Sequence, residues 1–272
     1  MSHRQIYNPV MWTEYAAYKM IGTPLEKPAR FLRDFGGLAR RIRHPELIDI
    51  YKESSRIAQI MRRLIRDPMN CIDIGCHLGS VLQCIIELSP NGKHFAFEPT
   101  SYKAGWLRRK FPQVDVREIA LSHSSGKAQF YHHRGRSGFS GLQLKATSGK
   151  PVATYEVQRE PLDAVISPDT KIDFIKADIE GGELHMLRGA GDLLKRCRPP
   201  IVFECTNAGL AAYQAKHDEI FDLLITDHGY DLYLMKEWLD GSNPLDVARF
   251  NDAMQYPFAA FNFFAWPRQR PR

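Results

Sequence analysis

Two glycines and several acids stand where buried strands are predicted to end. The motif Asp73-x-Gly75-x-x-x-Gly79 begins within the predicted strand 71–74 and leads into a predicted helix over 80–88. A second apolar segment, 94–97, closes with Glu98-Pro99. Turn glycines let a ligand approach the backbone, and an acid after the second strand can accept hydrogen bonds from ribose hydroxyls. This strand–helix–strand unit is therefore typical of a nucleoside site.

The glycine spacing narrows the choice of nucleoside. A dinucleotide site would carry Gly-x-Gly-x-x-Gly and hold a pyrophosphate at the helix N-terminus, but the third glycine is missing here. The pattern therefore argues against a nicotinamide oxidoreductase. Asp73 leads into the turn and would repel an anion, so a cationic ligand such as S-adenosylmethionine fits better. An ordinary tight turn in a parallel sheet is the plainer alternative and stays open.

A second group of acids follows two later strands. Asp178 and Glu204 each stand at or near the end of an apolar segment, and Glu180 and Glu183 come directly after Asp178. A helix is predicted over 179–188. Because Glu180 and Glu183 are three residues apart, that helix would present both on one face.

Three roles for this group are open. The acids could raise one another's pKa and supply a general base, or bind a divalent cation that orients a substrate hydroxyl. In the third role they are structural: Glu180 stabilises the helix N-terminus and Lys176 pairs with an acid at a strand end. Because one helix supplies the acids and no further ligand is evident, we predict no metal.

Four histidines are further candidates for the base, since a neutral imidazole accepts a proton near pH 7. They are His77, His132, His133 and His185. His132 and His133 precede a polar, glycine-rich loop that includes Ser140 and can cover a substrate. His185 is predicted to be exposed on its helix.

Alternating strands and helices from residue 69 onward predict an α/β fold with a mostly parallel sheet covered on both faces. The further strands are predicted at 114–121, 126–132, 155–159, 230–235 and 261–265. Ligands of such sheets lie beyond the carboxyl ends of the strands. We therefore expect Asp73, Glu98, Asp178 and Glu204 to meet at one edge.

Composition bounds the class of protein. The chain has 272 residues with 44% hydrophobic and 25% charged residues, which suits one large α/β domain with an appendage. No apolar run is long enough for a membrane span, and no apolar signal region follows the N-terminus. The five cysteines lack metal-ligand spacing and indicate buried thiols in a reducing cytoplasm.

The basic character lies at the N-terminal end. Residues 1–70 hold 13 Lys/Arg and 7 Asp/Glu, which accounts for the net charge of +6. We predict a basic helical cap over 1–67, with helices at 11–20, 29–42 and 45–66, and a catalytic domain over 68–272. The arginines form either a solvated face or a lid that attracts an anionic substrate or surface. The neutral domain has no segment suited to a flipped base, so a nucleic-acid substrate is disfavoured.

Several motifs resemble the FkbM family of S-adenosylmethionine-dependent methyltransferases. They are Cys71-Ile-Asp-Ile-Gly-Cys-His-Leu-Gly, Phe97-Glu-Pro, Ile119-Ala-Leu-Ser, Glu160-Pro-Leu-Asp163 and above all 172–190, with Asp178-Ile-Glu-Gly-Gly-Glu followed by Leu-Arg-Gly-Ala190. The resemblance implies the class I methyltransferase fold, a Rossmann-like sheet of seven strands whose last strand, 261–265, is antiparallel. It also implies methylation of hydroxyl groups, often on sugars or other secondary metabolites. In the glycine turn after the first strand, this chain carries Cys76-His77 where the family usually has Ala-Asn.

The motifs and the strand ends together predict a residue set. Gly75 and Gly79 would admit the cofactor, Asp73 would face its methionine end, Glu98 its ribose, and Glu118 or Ser122 its adenine. The whole set of predicted cofactor residues is Asp73, Gly75, Cys76, His77, Gly79, Glu98, Pro99, Glu118, Ala120 and Asp178. The predicted catalytic residues are Asp178, Glu180 and His77, and the predicted substrate residues are Glu183, Glu204 and Ser140. The expected partner is a hydroxylated small molecule, either neutral or anionic. An inert cofactor-binding module and a homo-oligomer both stay open.

Overall fold

A seven-stranded sheet forms the centre of the computed structural model, which describes residues 43–133, 140–143 and 152–268. Its strands are β1 (Cys71–Ile74), β2 (Phe95–Phe97), β3 (Asp115–Arg117), β7 (Phe174–Ala177), β8 (Ile201–Glu204), β9 (Tyr230–Leu234) and β10 (Asn262–Pro267). Their order is β3-β2-β1-β7-β8-β10-β9. β10 runs antiparallel to both of its neighbours, and the other pairings are parallel. This order confirms the predicted class I methyltransferase fold.

Helices cover both faces of this sheet. In chain order they are α1 (Ile48–Tyr51), α2 (Glu53–Leu64), α3 (Ser80–Leu88), α4 (Ser101–Lys110), α5 (Leu162–Val165), α6 (Glu183–Arg188), α7 (Gly191–Cys197), α8 (Asn207–Ala212), α9 (His217–Asp222), α10 (Met235–Leu239) and α11 (Val247–Ala253). A 3-10 turn, Pro45–Leu47, precedes α1, and a π turn, Leu223–Asp227, follows α9. Within the described residues, no helix is both long and apolar enough to cross a bilayer.

Alternating side chains divide the core between the two faces. Ile72 and Phe203 belong to the larger apolar cluster, which includes residues of α6 and α7. Cys71 and Phe174 point to the opposite face and pack with α2 and α3. A strand buried on both faces must be apolar at nearly every position, which explains why the motif strands are short continuous apolar runs.

A smaller sheet stands beside the main one. β4 (Ala120–Leu121) pairs in parallel with β6 (Val152–Glu160), and β6 pairs antiparallel with β5 (Gly126–His133). The prediction of one strand over 114–121 was therefore wrong. The pairing of β3 with β2 ends at Arg117 and Phe97, and Ala120 and Leu121 pair instead with Arg159 and Glu160 of β6.

The predicted helix over 45–66 is interrupted at Lys52 and forms three shorter elements. Glu53, at the start of α2, accepts hydrogen bonds from the backbone N–H groups of Phe261 and Asn262 at 2.7 and 2.8 Å. This buried carboxylate fixes α2 to the start of β10. The other two predicted N-terminal helices, 11–20 and 29–42, lie outside the described residues.

Candidate active site

A cavity of about 390 Å³ lies at the carboxyl edge of the main sheet, within the size range of small-molecule sites. Of the predicted site residues, those that line it are Gly75, His77, Glu98, Pro99, Ala120, Ser140, Asp178, Glu180 and Glu204. Five others do not line it: Asp73, Cys76, Gly79, Glu118 and Glu183. The carboxyl edge therefore brings together acids from both halves of the sheet.

Glu98 is held at the cavity wall by backbone donors. Its Oε2 accepts the N–H of His77 at 3.1 Å and its Oε1 accepts the N–H of Thr100 at 3.0 Å. The side chain is 4% exposed. Each carboxylate oxygen keeps a second lone pair for another donor, so the carboxylate is fixed in place and can still accept hydrogen bonds from a ligand.

The turn after β1 contains three residues in the left-handed region, namely Gly75 (φ 75°), His77 (φ 47°) and Gly79 (φ 74°). A Cβ on Gly75 would lie 1.9 Å from the carbonyl oxygen of Asp178. Gly75 is thus required for the close approach of the strand ends of β1 and β7. A Cβ on Gly79 would lie 2.6 Å from the ring of Phe111, so this glycine is needed for helix packing as well as for the turn.

The imidazole of His77 is neutral at physiological pH. Burial lowers its pKa to about 4, the nearby Lys103 and His132 add to the decrease, and Asp178 opposes it. A base with so low a pKa accepts a proton weakly at pH 7. The backbone N–H of His77 donates a hydrogen bond to Glu98, whereas the His77 imidazole is poorly suited to be the general base.

Asp73 lies beneath the turn rather than in the cavity wall. It is 2% exposed, and its Oδ2 has no hydrogen-bond partner among the described residues. Burial raises its pKa to about 7, although the ammonium of Lys176 works in the opposite direction. The thiol of Cys76 donates to the Asp73 carbonyl at 3.0 Å. Asp73 is therefore a buried acid with one unsatisfied oxygen at the carboxyl edge.

Three carboxylates meet on the opposite side of the cavity. Asp178, Glu180 and Glu204 each offer an oxygen, and these oxygens lie within 4.8 Å of one another. Burial, followed by the charges of Asp178, Glu180 and Glu183, raises the pKa of Glu204 well above its usual value. The prediction of no metal assumed that one helix supplies all the acids. Glu204 comes from β8, so that assumption was wrong. Three clustered carboxylates can hold a divalent cation.

The helix after β7 begins later than predicted. α6 starts at Glu183, and Glu180 lies in the preceding turn with φ 61°. The prediction that these two acids share a helix face was therefore wrong. Glu183 is 1% exposed and accepts the N–H groups of Ile179 and Gly181, both at 2.9 Å. It shapes the turn that carries Glu180 into the cavity.

The outer wall comes from the segment 140–143. Gly141 exchanges two backbone hydrogen bonds with Tyr131 of β5, at 2.8 and 3.1 Å. The N–H of Leu142 donates to the Tyr213 hydroxyl at 3.0 Å, and the hydroxyl of Ser140 lies 3.2 Å from His132 Nδ1. The small sheet and α8 thus jointly hold this wall over the acids.

The remaining predicted residues lie elsewhere. Glu118 is exposed and bonds to the hydroxyl of Ser101 and, at 3.5 Å, to Arg108. Ser122 is buried and takes no part in the cavity wall. His185 is half-buried against the ring of Tyr213, with 5.6 Å between ring centroids, so the prediction of an exposed His185 was wrong.

A family model for the methyltransferase FkbM domain matches residues 73–232, which is more than half of the chain. The chain belongs to the FkbM methyltransferase family. The matched range contains every residue that lines the cavity. The family resemblance read from the sequence motifs is thereby confirmed.

Individual relatives of this FkbM chain are distant. The 2-O-methyltransferase NoeI of Sinorhizobium fredii is 26% identical over 159 residues, which cover 52% of this chain and 65% of NoeI. A crystal structure of methyltransferase FkbM from Methylobacillus flagellatus has 14% identity and a TM-score of 0.46, covering 77% of this chain and 50% of that one. An O-methyltransferase structure from Thermotoga maritima has 15% identity and a TM-score of 0.40, with 81% and 67% covered. The chain thus spans about two thirds of NoeI and half of the Methylobacillus protein.

Among the residues of this FkbM domain that build the cavity, Lys103 and Tyr213 have no counterpart in the predicted set. Lys103, in α4, is only 3% exposed and lines the cavity beside His77. Tyr213, which directly follows α8, holds the outer wall through its hydroxyl. The sequence does not distinguish Lys103 from the other Lys and Arg residues of α4. Tyr213 was not predicted because it lies beyond Ala190, where the last of the recognised motifs ends.

Proposed function

We propose that this chain transfers a methyl group from S-adenosylmethionine to a hydroxyl group of a small molecule. One observation carries the proposal: the same cavity joins the fixed carboxylate of Glu98 to the cluster formed by Asp178, Glu180 and Glu204. The first is suited to ribose hydroxyls and the second to the acceptor. Membership of the FkbM methyltransferase family supports the same reaction.

The residues of the site fit this cofactor. Asp73 Oδ2 is a buried acceptor without a described partner, and the carboxyl edge carries several acids around Lys176, so the edge favours a cation. We assign the ribose to Glu98 and the adenine to the apolar wall around Ala120. When bound, the cofactor supplies an activated sulfonium methyl group.

The acceptor hydroxyl is assigned to the acid cluster. Asp178 and Glu180 orient the hydroxyl by accepting its hydrogen bond, which places it for in-line displacement. Glu204 is the best-suited proton acceptor, because a carboxylate whose pKa is raised is a stronger base once it is ionised. Ser140 and the outer wall exclude water above it.

The chemistry of the cavity also bears on the acceptor class. Lys103 and Ser140 line the same cavity as the acids, so we assign to the acceptor an anionic group as well as a hydroxyl. The five cysteines form no disulfide, which supports a reducing compartment such as the cytoplasm.

The experiment has two stages. Calorimetric titration with S-adenosylmethionine, S-adenosylhomocysteine and NAD separates a methyltransferase from an oxidoreductase. Transfer of labelled methyl to pools of sugars, anionic metabolites and RNA then separates an enzyme from an inert binder. We expect Glu204→Gln to bind the cofactor like the wild type and to transfer methyl about 100-fold more slowly.

Glu118→Gln is the matched control, because Glu118 is an exposed acid outside the cavity. It should retain both binding and transfer. Binding of NAD in place of S-adenosylmethionine, or labelled product on none of the pools, would contradict the proposal.

A further inference from the structure

Lys176 is a buried ammonium in the central strand β7 and is 2% exposed. Its Nζ donates to the carbonyl of Ala177 at 3.0 Å and lies 3.5 Å from Oδ2 of Asp178. In the sheet it stands opposite Asp73 of β1 and Val202 of β8. Lys176 therefore lies within the main sheet, two residues before the cavity-lining Asp178.

Acids from four elements face this ammonium. They are Asp178 after β7, Asp73 from β1, Glu204 from β8 and Glu53 from α2; for the last three, the charge of Lys176 lowers the pKa against the effect of burial. Glu180 and Glu183 add negative charge beside Glu204. One buried cation is thus shared by more acids than it can neutralise.

Such an arrangement is sensitive to the loss of its cation. Taking charges out of water is costly, and removal of one partner leaves an uncompensated buried charge. Without Lys176, the acids at this edge would have to take up protons or turn toward solvent. Asp178 can turn toward solvent, since its side chain is 46% exposed.

We propose that Lys176 is a positioning residue, which holds the Asp178 carboxylate at the cavity wall and acts as the shared counter-ion of the strand-end acids. One oxygen of Asp178 faces Lys176, which leaves the other for the acceptor. The role of Asp178 rests on the proposed methyl transfer, whereas the role as counter-ion does not.

The first test measures stability rather than activity. Urea unfolding of full-length Lys176→Met is followed between pH 6 and pH 8. The variant should be less stable than the wild type, and the difference should grow with pH as the acids ionise. Adding Asp73→Asn to Lys176→Met should recover part of the loss, because it removes one of the charges left without a cation.

Lys171→Met is the matched control. Lys171 also pairs with an acid, Asp173, at 2.8 Å, but its side chain is 75% exposed. Its loss should be small and independent of pH. If Lys176→Met behaves like this control, or if the double variant is as unstable as the single one, the counter-ion role is overturned. The double variant also keeps the test decisive if Lys176→Met alone does not fold.

The second readout is the pH profile of methyl transfer. In Lys176→Met the acid limb of kcat should move upward by about one pH unit, with cofactor affinity changed less than about threefold. In the double variant only the position of the limb is compared, because Asp73 belongs to the proposed cofactor site. Because the acid limb is assigned to Glu204, an unshifted limb would refute the action of Lys176 as a counter-ion of that acid, and an unchanged kcat at pH 8 would refute the positioning of Asp178. Absence of transfer in the wild type would instead refute the proposed function and leave the stability result standing.

Discussion

The backbone N–H of His77 donates a 3.1 Å hydrogen bond to Oε2 of Glu98. The bond joins the turn after β1 to the end of β2, and the second oxygen of the same carboxylate accepts the N–H of Thr100. A carboxylate is acceptor-only when ionised, so it matches two converging N–H groups. The Glu98 carboxylate, our proposed ribose ligand, is thus fixed by the backbone of two neighbouring strand ends.

Glu98→Gln should weaken both the fold and cofactor binding. The amide group of glutamine would place donors against one of the two backbone donors. We expect a loss of about 1–3 kcal/mol in the free energy of unfolding and an affinity for S-adenosylmethionine that is lower by at least about tenfold. Urea unfolding and calorimetry measure the two effects, and Glu118→Gln should change neither. A stable variant with unaltered affinity would remove Glu98 from the cofactor site.

His77→Asn should be well tolerated. Its backbone has φ 47°, a region that asparagine adopts more readily than most residues, and the bond to Glu98 uses the main chain. We expect stability equal to the wild type or higher by up to about 1 kcal/mol, and cofactor affinity within about threefold. His77→Val is the contrasting variant and should be less stable. A large fall in kcat for His77→Asn at unchanged affinity would show that the imidazole takes part in the reaction.

The rate of methyl transfer should rise with pH. Glu204 must be ionised to accept a proton, and its pKa lies well above the usual value of a glutamate. The acid limb of kcat should therefore lie at a higher pH than an ordinary carboxylate would produce. Glu204→Asp should keep an acid limb at lower activity, while Glu204→Gln should abolish the limb along with most of the rate. A profile that is flat from pH 5 to pH 8 would exclude Glu204 as the base.

Chelation of divalent cations should leave the rate within about twofold of the untreated enzyme. Asp178, Glu180 and Glu204 are close enough to hold a cation, but Asp178 is already paired with Lys176. The measurement is methyl transfer after dialysis against EDTA, with and without added Mg²⁺ or Mn²⁺. If activity is lost and then restored by a metal, the cluster is a metal site, and the substrate hydroxyl is activated by that metal.

Stability should fall as the pH rises toward neutrality. Burial raises the pKa of Asp73 and of Glu183 to about 7 in the folded protein. The folded state therefore binds these protons more tightly than the unfolded state does. Their contribution is fully present below the ordinary carboxyl pKa and is lost as the pH rises through about 7.

We expect the free energy of unfolding to be lower at pH 8 than at pH 6 by about 1–3 kcal/mol. Urea titrations at several pH values measure it. Asp73→Asn, which mimics the protonated acid, should flatten the curve. A stability that increases steadily from pH 6 to pH 8 would mean that these acids are ionised in the folded protein.

The sheet and its functional edge were predictable because the relevant information is local. Apolar runs followed by Asp73, Glu98 and Asp178 mark strand ends, and parallel strands bring such ends together. The side-chain contacts between distant parts of the chain were not predictable in this way. Tyr213, which directly follows α8, contacts the outer wall. Glu183 rather than Glu180 begins α6, because the Glu183 carboxylate accepts the backbone N–H groups of Ile179 and Gly181. Local spacing does not encode such contacts.

The outer wall of the cavity, 140–143, is hydrogen-bonded to β5 of the small sheet, whereas Glu98, the proposed ribose ligand, follows β2 of the main sheet. The hairpin of β5 and β6 makes its strand pairings with β4 and within itself. Its length and sequence can therefore change without disturbing the register of the seven strands. Exchange of β5 and β6 between relatives is therefore expected to alter the wall above the proposed acceptor site while leaving in place the strand ends that carry Glu98 and Asp178.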